Sequence, residues 1–383
     1  MSNQKKNIPT FLLNSNDLEN LLGFIYNQED LLKQFGGIKL QLNSDCKLSL
    51  KKRRKNLNLR PMKVNVIQSN MNKCIYEVNS SSLSSTDQCV EMNDPNKFWH
   101  SLSNCKDKSQ PLNISFASDV SFFARRKSSL SFDLNRIPNE SLLKLVKKKK
   151  WKDQCIEGVR RAHGPGSIFP LTCGKQRLFR LDYHHEGGNH HWYIIPHSQR
   201  DRLQKLINNC NYCLDHGQIF VDPSILDQHE IRYFHCIQQP NEFVVFSAGS
   251  LCQSFSTNSS WSESVVFALP SWIVEGHASS LPTCQCQTNS FHSIDYTLFT
   301  TELIHKYIQT SLNLQTSFHL HSLDLSQQQQ QQQQQQDTTS LQDLTFDETN
   351  EIFMDLLSNC DYDYDLLSFD KDSVCIDLYF TQA

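Results

Sequence analysis

The 383-residue sequence lacks any run of about eighteen apolar residues, the length a helix needs to cross a bilayer, so no membrane span is expected. Its first residues, MSNQKKNIPTFLLNSNDLENLL, lack the unbroken apolar centre of a secretory signal. Its formal net charge is only -3, which leaves no whole-surface electrostatic case for nucleic acid. Cysteine, by contrast, is plentiful, with fourteen residues. Without a secretory segment these thiols are expected to be reduced, and their local spacing favours metal binding over disulfides.

Charge is unevenly placed. KKRRK at 51–55 and KKKKWK at 147–152 are basic clusters. Each reads as a solvated loop or helix end, and the first also as a nuclear import signal. The segment from Asp337 on carries a dozen acids and the single Lys371. It follows ten consecutive glutamines at 327–336, a tract that buries no core. In the acidic tail, Phe353, Met354, Leu356 and Leu357 could form one helical face against a partner groove, as in acidic activation segments; the alternative is a tail that only solvates.

Residues 8–42 read as a small folded unit. Leu18, Leu21, Leu22, Ile25, Leu31, Leu32 and Phe35 have helical spacing, with Asn16 or Asp17 as cap and Gly36-Gly37 as stop. IKLQL then alternates as a strand. Residues 43–95 are polar and read as a linker. NKFWHSL opens a folded unit over 96–290, rich in strand-like runs: LFRLDYHH, HWYIIP, QIFVDP, EFVVFSAG and SESVVFALPSW. ESLLKLVKKKKW is expected as a short amphipathic helix, and HSQRDRLQKLINNCNYCLDHG as a helix running into a loop. Residues 291–326 read as a connector. Many strands with few helices predict a mainly β barrel or sandwich with helical decoration.

The most suggestive stretch is HHEGGNHHWYIIP, which offers His184, His185, Glu186, His190 and His191 as metal donors. Strand alternation puts His184 and His185 on opposite faces, which splays such a set. Local hydrogen bonding is therefore favoured over a site built from His185, Glu186, His190 and Cys252.

Taken in order, IPTF with GGIKL, then FDLNRIPNESLLKLV, CIEGV, LDYHHEGGNHHWYIIP, IFVDPSIL, CIQQPNEFVVFSAG and SESVVFALPSW, the chain resembles the JmjN-plus-JmjC histone lysine demethylases. The likeness is nearest to the subgroup acting on trimethylated lysines 9 and 36 of histone H3, and covers roughly residues 8–290. It implies a double-stranded β-helix, a jelly-roll barrel. Active relatives hold Fe(II) with two histidines and one carboxylate, leaving positions open for 2-oxoglutarate and oxygen. The corresponding positions here are Thr172, Gly174 and Cys252, so all three ligands are replaced. The family's lysine and asparagine for 2-oxoglutarate correspond to His190 and Asp182. No tyrosine stands between Tyr76 and Tyr183 to complete the cosubstrate and methyl-lysine pockets.

The resemblance also implies a closed tetrahedral zinc site from Cys210, His216, Cys284 and Cys286, with Cys213 as a competitor for Cys210. The expectation is thus a catalytically inactive demethylase homologue with structural zinc and without Fe(II) or 2-oxoglutarate. It would act in the nucleus as a binding or scaffold module for histone tails or chromatin proteins, with its acidic tail toward transcription machinery and little or no direct DNA contact. The alternative is an active Fe(II)/2-oxoglutarate demethylase with relocated ligands.

Overall fold

The computed structural model of the chain describes residues 7–44, 46, 48, 50, 63–68, 75–81, 94–104, 114–117, 121–123, 132–145, 155–207, 212–279 and 294–312. The basic clusters at 51–55 and 147–152, the glutamine tract and the acidic tail lie outside the described residues.

The chain opens with strand β1 (Thr10–Leu13), helices α1 (Ser15–Glu19), α2 (Leu21–Tyr26) and α3 (Glu29–Phe35), and strand β2 (Gly37–Leu42). The segment expected as one helix is therefore three. Asn20 interrupts it, because its side chain accepts from Gly23 N at 3.3 Å and competes with the helical ladder. The first cap is Asn14, in a reciprocal box with Asp17, rather than Asn16 or Asp17. Gly36 stops α3 as expected, in the left-handed conformation at φ 75° that glycine adopts without strain.

Strands β3 (Lys63–Gln68) and β4 (Ile75–Ser81) follow, within the stretch expected as a linker. Ile75 and Tyr76 are buried there, which a connector would not require. Next come α4 (Pro95–Asn104), β5 (Ile114–Ala117) and the short α5 (Ile137–Glu140). The amphipathic helix expected across 140–151 is broken at Ser141, whose backbone is extended. Its hydroxyl donates to Pro138 O at 2.8 Å and accepts from Leu143 N at 3.3 Å, and the described residues after it, Leu142–Leu145, form a 3-10 turn.

The remaining elements are β6 (Ile156–Ala162), β7 (Ser167–Cys173), β8 (Phe179–Gly187), β9 (His190–Ile195), α6 (Arg200–Ile207), β10 (Ile219–Val221), α7 (Pro223–Gln228), β11 (Phe234–Gln238), β12 (Glu242–Phe246), β13 (Leu251–Ser256), β14 (Ser260–Phe267), α8 (Ser271–Val274) and α9 (Thr301–Tyr307). The last lies in the expected connector, and its Ile304 and Tyr307 are buried in the core.

A seven-stranded sheet ordered β1-β2-β12-β8-β14-β6-β5 faces a four-stranded sheet ordered β11-β9-β13-β7, and a small third sheet runs β10-β4-β3. This is a mainly β, cupin-like barrel with helices outside. Alternation sorts each strand into two faces. Phe243 and Val245 of β12 join α2, α3 and α9 on the outer face of the larger sheet, while Val244 and Phe246 point between the sheets. Trp192 and Ile194 point inward from β9, and Tyr193 and Ile195 outward.

Candidate functional site

The space between the sheets is lined by Phe169, Trp192, Ile194, Val244, Phe246 and Cys252. Among these apolar groups lie charges. Arg180 and Asp182 stand two apart on β8 and so share its inward face. Arg160 of β6 makes an ion pair with Asp182, and both side chains have 0% exposure. The Arg180 guanidinium donates to Cys252 Sγ at 2.9 Å. It also lies 4.3, 4.8 and 5.3 Å from the ring centres of Phe246, Phe169 and Trp192, an aromatic box suited to a planar cation. A bulge between Ser264 and Val265 lets Ser264 donate to Glu157. Burial pushes the Glu157 carboxyl up, yet Arg180 and Lys175 outweigh it and hold the group below the usual carboxylate range. Burial, aided by the like charge of Arg180, brings Arg160 down to about 9, which still leaves it protonated at neutral pH. Two guanidiniums thus face two carboxylates inside the barrel.

Gln238 fixes this interior. Its side chain accepts from Trp192 Nε1 at 2.8 Å and donates to Asp182 O at 3.2 Å and Glu242 O at 3.1 Å. One amide thereby ties the indole to the backbones of β8 and β12.

The positions likened to iron ligands separate into two kinds. Thr172 and Cys252 face each other across the β7–β13 ladder. Gly174 lies just beyond β7, where an added Cβ would collide with Leu178 O. No side chain, carboxylate or otherwise, enters there unless the backbone moves. Burial raises the Cys252 thiol, against the opposing pull of Arg180. A neutral hydroxyl, a missing side chain and a thiol already engaged by a cation do not fit Fe(II), and the neighbouring guanidiniums repel it. Nor do the counterparts of the cosubstrate residues fit a dicarboxylate: Asp182 carries negative charge, and His190 is held neutral.

The histidines of the HHEGGNHHWYIIP stretch divide between faces. His185 lies on the outer face of the larger sheet, 3.2 Å from Glu263, with Phe122, Phe123 and Tyr183 around its ring. Glu186 is exposed. His191 lies on the outer face of the smaller sheet, 3.2 Å from His235. His184 and His190 both point inward, their ring centres 4.7 Å apart. His190 meets Ser260 Oγ at 2.8 Å, and His184 faces Gln238 O and Glu186 O at 3.3 and 3.1 Å. The quartet His185, Glu186, His190 and Cys252 therefore does not converge, and no group of metal donors forms among the described residues.

Burial lowers His184 to about 4 and His190 well below its ordinary value. Both are neutral when folded and take up protons when unfolded below about pH 6.5. Their contribution to stability is complete above that value and is lost as pH falls toward 4. The expected loss is about 1.4 kcal/mol per pH unit for each imidazole kept neutral. Urea denaturation at pH 7, 6 and 5 checks this, with His184→Gln and His190→Gln flattening the slope; an unchanged slope in both variants contradicts it.

Of the expected zinc ligands, Cys210, Cys284 and Cys286 lie outside the described residues. His216 pairs with Thr172 in an isolated bridge, at the end of β7. Cys213 Sγ lies 3.0 Å from His216 Nδ1, so the thiol named as a competitor for Cys210 is in contact with the imidazole. Arg200 grips the intervening Asp215 at 2.7 Å through both carboxylate oxygens, fixing this loop to α6. A thiol beside an imidazole is a donor pair that suits zinc.

Sequence reading missed Arg160 and Arg180. The signal was in LFRLDYHH: a strand between two apolar layers with Arg and Asp on one face implies buried, paired charges.

Residues 163–267, from the end of β6 through β14, match the JmjC domain, hydroxylase, family. This segment is a JmjC domain. The chain is 35% identical over 124 residues to "Multicopy suppressor of chk1 protein 1" of Schizosaccharomyces pombe, covering 29% of this chain and 8% of that protein. It is 27% identical over 121 residues to "Protein Jumonji" of Gallus gallus, covering 29% and 10%. With "Probable lysine-specific demethylase 4F" of Homo sapiens the identity is 26% over 115 residues, covering 28% and 18%. The alignments span less than a fifth of the length of each of these relatives.

Proposed function

We propose that this chain is a JmjC-domain protein that keeps the demethylase barrel as a binding and scaffold module and has lost the demethylase chemistry. The observation that carries the reading is the Arg180 guanidinium donating to Cys252, where the third iron ligand would stand. A cation bonded to that thiol occupies the donor an iron ion would need. Similarity to proteins named Jumonji and lysine-specific demethylase supports a chromatin setting. On this reading KKRRK directs the chain to the nucleus, and the acidic tail meets transcription machinery. A structural zinc ion would be held by His216 with Cys284, Cys286 and either Cys210 or Cys213, closing the barrel end near Thr172.

Two measurements on one recombinant sample test this. Metal analysis is expected to return about one zinc per chain and no stoichiometric iron, even after loading with Fe(II). Incubation with Fe(II), 2-oxoglutarate and trimethyl-lysine histone peptides is expected to give no succinate above the uncatalysed level. Stoichiometric iron together with succinate formation would falsify the proposal and favour the relocated-ligand enzyme.

A further inference from the structure

A second site lies outside the barrel. Between α4, α7 and β11 a cleft of about 770 Å³ opens on the outer face of the smaller sheet. Three aromatic side chains line it: Trp99, Tyr193 and Tyr233. Trp99 and Tyr193 meet edge to face at 5.5 Å, and Tyr193 and Tyr233 lie 6.3 Å apart, so the rings form a continuous bent wall. Trp99 Nε1 donates to Tyr193 Oη at 2.8 Å, which locks the floor. Stacking on Phe220, 4.9 Å away, backs the indole from behind. Tyr233 is half-buried and forms the open side.

The wall is joined by three carboxylates, Asp222, Asp227 and Glu230, against one guanidinium, Arg232. Their positions are built. Asp222 caps α7 through Ser224 N at 2.8 Å. Asp227 accepts from Tyr233 Oη at 3.2 Å, which couples the ring to a charge. Glu230 follows the helix with a left-handed backbone at φ 54°. Aromatic rings beside excess carboxylate are the recognition chemistry of an ammonium or guanidinium.

We propose that this cleft binds a lysine-bearing basic peptide from another molecule, with the ammonium held between the Tyr233 ring and the Asp227 and Glu230 carboxylates. This deepens the scaffold reading by giving the partner's chemistry, and rests on it only for its biological use. The excess of carboxylate over guanidinium in the lining selects a cationic partner.

The test is fluorescence anisotropy of a labelled eight-lysine peptide with the full-length protein, without iron or 2-oxoglutarate. Saturable binding is expected. The D227N/E230Q double variant should weaken it about tenfold or more, and Tyr233→Leu roughly threefold or more. Glu19→Gln, an exposed carboxylate on α1, should leave it unchanged. Thermal melts of each variant confirm folding. No saturable binding, or equal affinity in D227N/E230Q, overturns the proposal. So does binding that emerges only after residues 51–55 become alanine, because the occupant is then the chain itself. Either failure leaves the absence of demethylase turnover to its own assay.

Discussion

Asp182→Ala is expected to lower folding stability by about 3–5 kcal/mol, among the largest effects of any single substitution in the barrel. The carboxylate and Arg160 are both at 0% exposure, so neither charge can fall back on water once its partner is gone. Removing Asp182 leaves two guanidiniums, Arg160 and Arg180, opposed by Glu157 alone. Arg160→Leu should also be costly, because it leaves the buried Asp182 carboxylate without its ion-pair partner. The double variant R160L/D182L should be much milder than the sum of the singles, since a matched apolar pair needs no compensating charge. Urea titrations of the four proteins complete the cycle. Additive losses would mean that the two groups do not interact in solution.

The second large effect concerns Gly174. Gly174→Glu restores the carboxylate of the iron-binding pattern on paper, yet should destabilise the protein by about 2–3 kcal/mol through overpacking. The new Cβ would meet Leu178 O, a backbone atom that cannot rotate aside as a side-chain end would. The triple variant T172H/G174E/C252H should therefore fold poorly and bind no stoichiometric iron. Its third substitution also sets an imidazole against the Arg180 guanidinium. Calorimetry and metal analysis of the triple variant decide the matter. A stable protein with tight iron would show that only three side chains separate this barrel from a working centre.

Much of this architecture is legible in the residues. LFRLDYHH, HWYIIP, EFVVFSAG and SESVVFALPSW alternate or run apolar and form strands, and Gly36 ends a helix where expected. What local pattern could not supply was tertiary context. Ile75 and Tyr76 sit in a polar stretch that reads as a connector, and become strand residues because the core takes them in, Tyr76 with Phe98, Phe220 and Phe255 and Ile75 with Leu171, Ile219 and Val221. Asn20 and Ser141 broke helices that periodicity made continuous, by offering side-chain hydrogen bonds to nearby backbone. At the candidate site, the replaced positions Thr172, Gly174 and Cys252 could be counted from the sequence. What took their place could not, because Arg160 and Arg180 come from different strands and meet only when the sheet forms.

β2 has a further consequence. It pairs residue for residue with β12 from Gln41 opposite Glu242 to Gly37 opposite Phe246. The first forty or so residues are thus woven into the same hydrogen-bonded fabric as the far end of the barrel, some two hundred positions along the chain. Cutting the N-terminal segment away would bare the flank of β12 and invite it to zip onto a neighbouring molecule. The two stretches must therefore be inherited together, and a transcript that skips one of them encodes a sticky fragment rather than a shorter version of the protein.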